Sequence, residues 1–197
     1  MNLFLAIAGA YIIGSIDFAV IVARMRGVDI RGVGSGNPGT SNVLRTMGKG
    51  PAAMVLIGDT LKGVIGAAVG MVASGTLDST VHWAFLAGLA AVVGHCYPIF
   101  HRFKGGRGVA TGLGVLFWTV PWLGLGALIA WLILVKLTKV AALASLITVL
   151  ATLPAAWIMG VRDRAFLWVC LMVALIVFRH RDNIARLIKG SEQKVPT

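Results

Sequence analysis

Six apolar runs divide the chain, at residues 3–23, 51–74, 80–100, 108–135, 140–160 and 165–178, and the polar residues collect in the short segments between them. A helix rises about 1.5 Å per residue, so a hydrocarbon layer of roughly 30 Å takes about 20 residues, and most of these runs fit one crossing. Two do not. Run 108–135 is long and is interrupted by Pro121, which cannot continue a helix ladder. Run 165–178 is short and relies on Arg179 and its neighbours reaching back to the interface.

Charge decides whether 108–135 crosses once or turns back at Pro121, because basic residues concentrate on the cytoplasmic side of a membrane protein. With the loop after Ala23 inside, a single crossing leaves ten basic residues inside and seven outside. A double crossing leaves fifteen inside and only Arg162 and Arg164, which flank Asp163, outside. The second arrangement predicts an all-α, polytopic membrane bundle of seven segments, with an external N-terminus and a cytoplasmic C-terminus. Its weak point is 108–120, which reaches only about 20 Å and is expected to be short, tilted or re-entrant. "GSGNPGTSNVLR", "FKGGRGVATG" and "RHRDNIARL" then share the cytoplasmic side, and the external "SGTLDST" carries no base. No solenoid-length repeat and no soluble domain is visible, so residues 1–197 read as one membrane-embedded domain, with 190–197 expected to fray.

Composition agrees: 58% of residues are hydrophobic and 13% charged, with a mean hydropathy of +0.89. The net charge of +11 comes from 18 Lys and Arg against 7 Asp and Glu. Positive-inside topology and an anionic ligand explain that balance without nucleic acid. Cys96 and Cys170 lie within apolar runs and read as small fillers. The first run has no basic stretch ahead of it and continues to Ala23, where arginines stop it, so it reads as a span and not as a cleavable leader.

Within "RGVGSGNPGTSNVLRTMGKG", Gly34, Gly36 and Gly39 match the G-x-G-x-x-G fingerprint of dinucleotide folds. That motif needs a preceding strand and a parallel sheet, and here a membrane span and an arginine-rich turn come first. "GKG" at 48–50 also fails as a Walker loop. Anion chemistry survives both exclusions. Glycines let backbone N–H groups converge, Ser35, Thr40, Ser41 and Asn42 offer side-chain donors, and Arg45 offers a fork that fits phosphate. A helix starting near Thr40 adds positive potential at its first turn. The alternative is a flexible polar connector. "FKGGRGVATG" repeats the device, with Lys104 and Arg107 around a diglycine. In "RHRDNIARLIKG", His180, Asn183 and Arg186 recur every three residues on one helical face; a basic helix holding anionic lipid heads is the alternative.

Charges inside apolar runs cost about 2.5 to 3.5 kcal/mol at a bilayer centre, which marks Asp17, Asp59, Lys62, His82 and His95. Asp59 and Lys62, three residues apart, are expected to form an ion pair. His95 reads either as a donor or base or as a packed histidine, and His82 as interfacial. Zinc-spaced cysteines, a G-x-S-x-G elbow and the H-x-x-x-x-D pair of common acyltransferases are absent from the sequence.

Taken together, "GSGNPGTSNVLR", "FKGGRGVAT" and "HRDNIARL", with "DTLKG", "GHCYP" and "GSEQK", resemble the acyl-phosphate:glycerol-3-phosphate acyltransferase family over nearly the whole chain. The resemblance implies a bacterial inner-membrane enzyme with its site facing the cytoplasm. It would move an acyl group from acyl phosphate, not from acyl-CoA or acyl carrier protein, to glycerol 3-phosphate, giving lysophosphatidic acid without a metal or cofactor. Its partners would be glycerol 3-phosphate, acyl phosphate and membrane lipids, with no nucleic acid. Carried over, Ser35, Asn42 and Arg45 belong to the first phosphate site, with Gly34 and Gly36 as substrate-binding residues beside them. Lys104 represents the second motif, His180 and Asn183 the third, and Ser145 matches a family serine more weakly. The family has lysine where this chain has Arg107. On this reading Arg45 and Lys104 neutralise phosphate, Ser35 and Asn42 orient oxygens, His180 and Asn183 position substrate, and the substrate phosphate takes the hydroxyl proton. A membrane transporter or binding protein for an organic phosphate is the competing reading.

Overall fold

The computed structural model describes residues 2–75 and 80–196, with only the backbone of Thr80. Most of the predicted external loop "SGTLDST" lies outside the described residues. Ten α-helices and no strand are present among those described: α1 (Leu3–Gly14), α2 (Phe18–Arg24), α3 (Thr40–Met47), α4 (Lys49–Ala73), α5 (Thr80–Cys96), α6 (Val109–Thr119), α7 (Pro121–Thr138), α8 (Ala141–Ile158), α9 (Asp163–Arg179) and α10 (Arg181–Ile188).

Five segments are long and apolar enough to cross a membrane: Leu3–Arg24, Lys49–Ala73, Val81–His101, Pro121–Thr138 and Ala141–Ile158. The 11-residue α6 and the 17-residue α9 are the two shorter helices that the seven-segment reading counts as spans. The long apolar run does break at Pro121, which occupies the first position of α7, where a missing N–H costs nothing. Its two halves pack against each other, and α6 is wedged against α4 and α5. At about 1.5 Å per residue α6 is roughly 16 Å long, as short as the sequence suggested.

Small residues set the packing. Cβ atoms added at Gly63 of α4 and Gly114 of α6 would strike the backbones of Thr111 and Thr60 respectively, so these two helices touch main chain to main chain. Such seams are how helices associate where lipid removes the hydrophobic drive. Large apolar side chains point outward instead, among them Phe4, Ile57, Trp122, Leu137 and Ile158, as a lipid-facing surface requires.

The first span is interrupted. Asp17, an acid within an apolar run, caps α2 by accepting from the Val20 N–H at 3.1 Å, and its second oxygen pairs with Arg31 at 3.2 Å. The same Arg31 nitrogen donates to the Lys104 carbonyl at 2.8 Å, stitching the loop after α2 to the loop before α6.

The C-terminal segment departs from expectation. Up to residue 196 it is tied to the bundle: Val195 is buried and donates its N–H to the Lys139 carbonyl at 2.8 Å. The Glu192 carboxylate accepts from Asn183 and Arg186, both at 2.9 Å. Polar composition suggested a free tail, but its partners lie far away in sequence and hold it down.

Candidate active site

One cavity joins a polar mouth to an apolar channel. Its mouth is built from the loop before α3, the start of α3, the start of α6 and the end of α9. The channel runs between α6, α7, α8 and α9.

The first loop is shaped by Asn42. Its Oδ1 accepts from the Ser35 N–H at 2.9 Å, and its Nδ2 donates to the carbonyls of Ile30 and Val33 at 3.2 and 3.0 Å. Gly34 sits at φ +59°, and a Cβ there would collide with Asn42 Oδ1, so glycine is required for both conformation and space. Asn42 lines the cavity, but both of its N–H bonds go to loop carbonyls, so in this structure it serves as a brace for the loop and does not offer a free donor to phosphate oxygens. Gly34 and Gly36, expected to bind substrate, shape the loop at positive φ and do not line the cavity.

Hydroxyls and N–H groups are what the brace leaves open. Ser35 Oγ and Thr40 Oγ1 are buried without a hydrogen-bond partner, and both residues line the cavity. Helix α3 begins at Thr40, as the sequence suggested, with no side-chain cap at Gly39. Its first N–H groups, including that of Ser41, have no carbonyl to meet within the helix. Helix α6 repeats this: Gly108 precedes it at φ +89° and also lacks a side-chain cap. Gly39, Thr40, Ser41, Gly108, Val109 and Ala110 all line the one cavity, so two helix N-termini bring positive potential to its mouth.

Two guanidiniums join them. Arg107 lines the cavity, and among the described residues no hydrogen bond engages it. Burial pushes its pKa down to about 10, opposed by Glu192 and reinforced by Arg186, Arg45 and Arg179; it stays charged at neutral pH. Arg45 also lines the cavity and donates to the carbonyls of Lys194 and Gln193 at 3.0 and 3.1 Å. Burial lowers its pKa, with Glu192 opposing and Arg186 adding. Lys104, expected in the site, is exposed and is not on the cavity wall. The turn at Arg102 and Phe103, both at positive φ, precedes it, and Arg107, past the diglycine, is the cation that faces inward. Arg179 fixes this turn by donating to the carbonyls of Gly106 and Gly105 at 3.1 and 2.8 Å.

His180 is buried and lines the mouth. Its Nδ1 lies 2.7 Å from the Ile176 carbonyl, which only accepts, so Nδ1 carries the proton and Nε2 the lone pair. Burial lowers its pKa to about 4, opposed by the Ile176 bond and aided by Arg107; the ring is neutral at pH 7. Asn183 lies behind the wall, donating to Glu192, with Oδ1 buried and unpaired.

Beside the mouth, Lys62 Nζ lies 2.8 Å from Asp59 Oδ1, 3.0 Å from His95 Nδ1 and 2.7 Å from the Ile16 carbonyl. The Asp59 contact is a buried ion pair, and His95 Nδ1 lies 3.6 Å from the same carboxylate oxygen. The expected pair forms, and it includes His95 as well. Along the channel, Trp131 Nε1 donates to Ser145 Oγ at 3.0 Å, so that serine is already engaged. Leu116, Leu128, Val149 and Met172 supply apolar wall.

A sequence model of the glycerol-3-phosphate acyltransferase family matches residues 4–190. The chain belongs to that family. A glycerol-3-phosphate acyltransferase of Thiobacillus denitrificans is 43% identical over 97% of this chain and 96% of its own. One of Neisseria meningitidis serogroup C is 42% identical over 96% of each. The crystal structure of PlsY (YgiH), an integral membrane glycerol 3-phosphate acyltransferase, in its glycerol 3-phosphate form, superposes with a TM-score of 0.90 at 36% identity, covering 99% of this chain and 96% of that one. Its lysophosphatidic acid form gives 0.88 at 35%, with the same coverage. Within the glycerol-3-phosphate acyltransferase family this chain is a multi-pass membrane enzyme of the PlsY type. Sequence reasoning passed over Trp131 and Glu192 and read Arg179 only as an interfacial anchor; the "GSEQK" match alone hinted at Glu192.

Proposed function

We propose that the protein transfers a fatty acyl group from acyl phosphate to glycerol 3-phosphate, releasing phosphate and 1-acyl-glycerol 3-phosphate at the cytoplasmic face of a bacterial inner membrane. The observation that carries this reading is the single cavity with two helix N-termini and two guanidiniums at one end and an apolar channel at the other. A lipid-linked phosphate substrate and a soluble phosphate substrate need that combination. The glycerol 3-phosphate and lysophosphatidic acid forms of the PlsY structures support the acceptor and the product.

An acyl phosphate is already activated, so no covalent enzyme intermediate is needed. Arg45, Arg107 and the open N–H groups of α3 and α6 hold phosphate charge, while Ser35 and Thr40 hydroxyls donate to its oxygens. The acceptor hydroxyl attacks the acyl carbon, a carbon–oxygen ester bond forms, and the bond from acyl carbon to phosphate oxygen breaks. The hydroxyl proton leaves with the phosphate. Neutral His180 offers Nε2 as an acceptor that orients the hydroxyl. Holding both partners in line supplies most of the acceleration.

Purified protein given acyl phosphate and glycerol 3-phosphate is expected to release lysophosphatidic acid, and none with acyl-CoA or acyl carrier protein as donor. Product only from either alternative donor overturns the choice of acyl phosphate; no product from any donor overturns the enzyme reading.

A further inference from the structure

The cavity has an end as well as a mouth. On each of the four helices around the channel the lining face stops part-way along: on α6 it runs from the Gly108 cap to Leu116, on α8 from Ala141 to Thr152, and on α9 from His180 back to Met172, while Ala127 is its deepest member on α7. The faces of α7, α8 and α9 then continue as packed core. Leu123, Ala156 and Val169 lie three or four positions beyond the last lining residue of their helices, hence on the same faces. All three are buried in one apolar cluster with Leu116 and Met172, and none lines the cavity.

The seams between the helices are shut at that depth. A Cβ on Gly124 of α7 would meet Phe117 N and Cα of α6 at 2.8 and 3.0 Å, and one on Gly112 of α6 would meet Ile176 Cδ1 and Met172 Sδ of α9 at 3.2 and 3.5 Å. Trp131 ties α7 to α8 through Ser145 Oγ. Helix α8 packs on α9, with Val149, Ala156, Val169 and Val173 in the same cluster. Thr152 spends its hydroxyl on the Val149 carbonyl, so the deep end asks for hydrocarbon.

At about 1.5 Å per residue the lining faces of α6 and α9 are roughly 12 Å long and that of α8 roughly 16 Å. An extended chain advances about 1.2 Å per bond, so the channel takes about 10 to 13 bonds beyond its mouth. We propose that this channel is a blind tube that measures the acyl chain, with Leu116, Ala127 and Thr152 forming the floor that sets the longest chain accepted. That the occupant is an acyl chain rests on the function proposed above. A chain that reaches the floor with its carbonyl at the mouth is held in line for attack. A longer one must coil, or pull its carbonyl out of line.

The test is kcat/KM for a series of saturated acyl phosphates, from octanoyl to stearoyl, with full-length protein. Wild type is expected to rise with length, peak near about 14 carbons and fall beyond. Helical side chains lean toward the start of their helix, and α8 starts at the mouth end, so Thr152→Leu raises the floor. It is expected to move the peak about two carbons shorter and to lower the palmitoyl-to-decanoyl ratio about fifteenfold, two methylenes refused burial at about fourfold each. Leu116→Ala takes bulk from the facing wall and is expected to move the peak the other way. Should Thr152→Leu fail to accumulate, Ala127→Leu fills the floor from α7 and is expected to shift the profile in the same direction. A wild-type profile that is level from octanoyl to stearoyl, a peak unmoved in both filled and emptied variants, or a shift of both in one direction each overturn the proposal. Wild type that turns over none of the series overturns the functional reading and this proposal with it; wild type that turns over the series with an unmoved peak in the variants overturns the measuring floor alone.

Discussion

The loop before α3 and the loop before α6 hold the same ingredients, glycines beside cations ahead of a helix, and put them to different use. In the first, the glycines bend the chain around an internal amide, Asn42, and the cation, Arg45, comes from the helix that follows. In the second, the diglycine lies tight under the end of α5, its N–H groups donating to the carbonyls of Cys96 and His95 at 3.2 and 3.1 Å. A Cβ on Gly106 would meet His95 and the Pro38 carbonyl of the first loop. The diglycine N–H groups are thus spent on main-chain carbonyls, and each loop delivers a helix N-terminus to the cavity. A glycine-rich stretch before a helix can thus serve phosphate by bringing a helix start to the right place.

That comparison breaks first at Arg107. Arg107→Ala is expected to lower kcat/KM by about 10²–10³, the range for loss of one preorganised charge-stabilising donor, and Arg107→Lys to recover part of it; initial rates on purified variants decide. Asn42→Ala removes the brace of the first loop and leaves the Ser35 N–H and the Ile30 carbonyl without partners, while the Val33 carbonyl keeps the Gly36 N–H. A stability loss of about 1–3 kcal/mol is expected, read as a lower thermal midpoint, together with lost activity through a displaced Ser35. A smaller effect concerns pH. The folded state holds His180 at about 4 against 6.5 in a free side chain, so below 6.5 the unfolded chain takes a proton that the folded one refuses. The stability difference between wild type and His180→Gln is expected to be flat above pH 6.5 and to shift against wild type from there down to about 4, as thermal melts across that range would register. The smallest effect is at Lys104: Lys104→Ala is expected to change kcat/KM less than threefold. A loss matching that of Arg107→Ala would mean that both cations of the second loop reach substrate.

The spans and the break at Pro121 were legible because bilayer thickness, proline chemistry and charge bias each act on the chain locally. The start of α3 was legible from glycine followed by Thr40, and the Asp59–Lys62 pair from spacing. Which cation of the second loop faces inward was not legible. That depends on the turn at Arg102 and Phe103 and on Arg179, 72 positions beyond Arg107, gripping the diglycine carbonyls. The use of Asn42 was hidden for a related reason: a side chain rich in donors looks the same in sequence whether it serves a ligand or its own loop. Glu192 stood in a polar tail, the composition that ordinarily signals disorder, and only the folded chain brings it to Asn183 and brings Arg45 to its neighbours.

The Arg45 contacts with the Gln193 and Lys194 carbonyls also bear on how the protein is handled. An affinity tag fused directly after Thr197, or a protease scar left there, is attached three residues beyond Lys194, whose carbonyl holds the Arg45 guanidinium of the cavity wall. A C-terminal fusion therefore calls for a long spacer, and activities compared across differently tagged preparations would be measuring the tag as well as the enzyme.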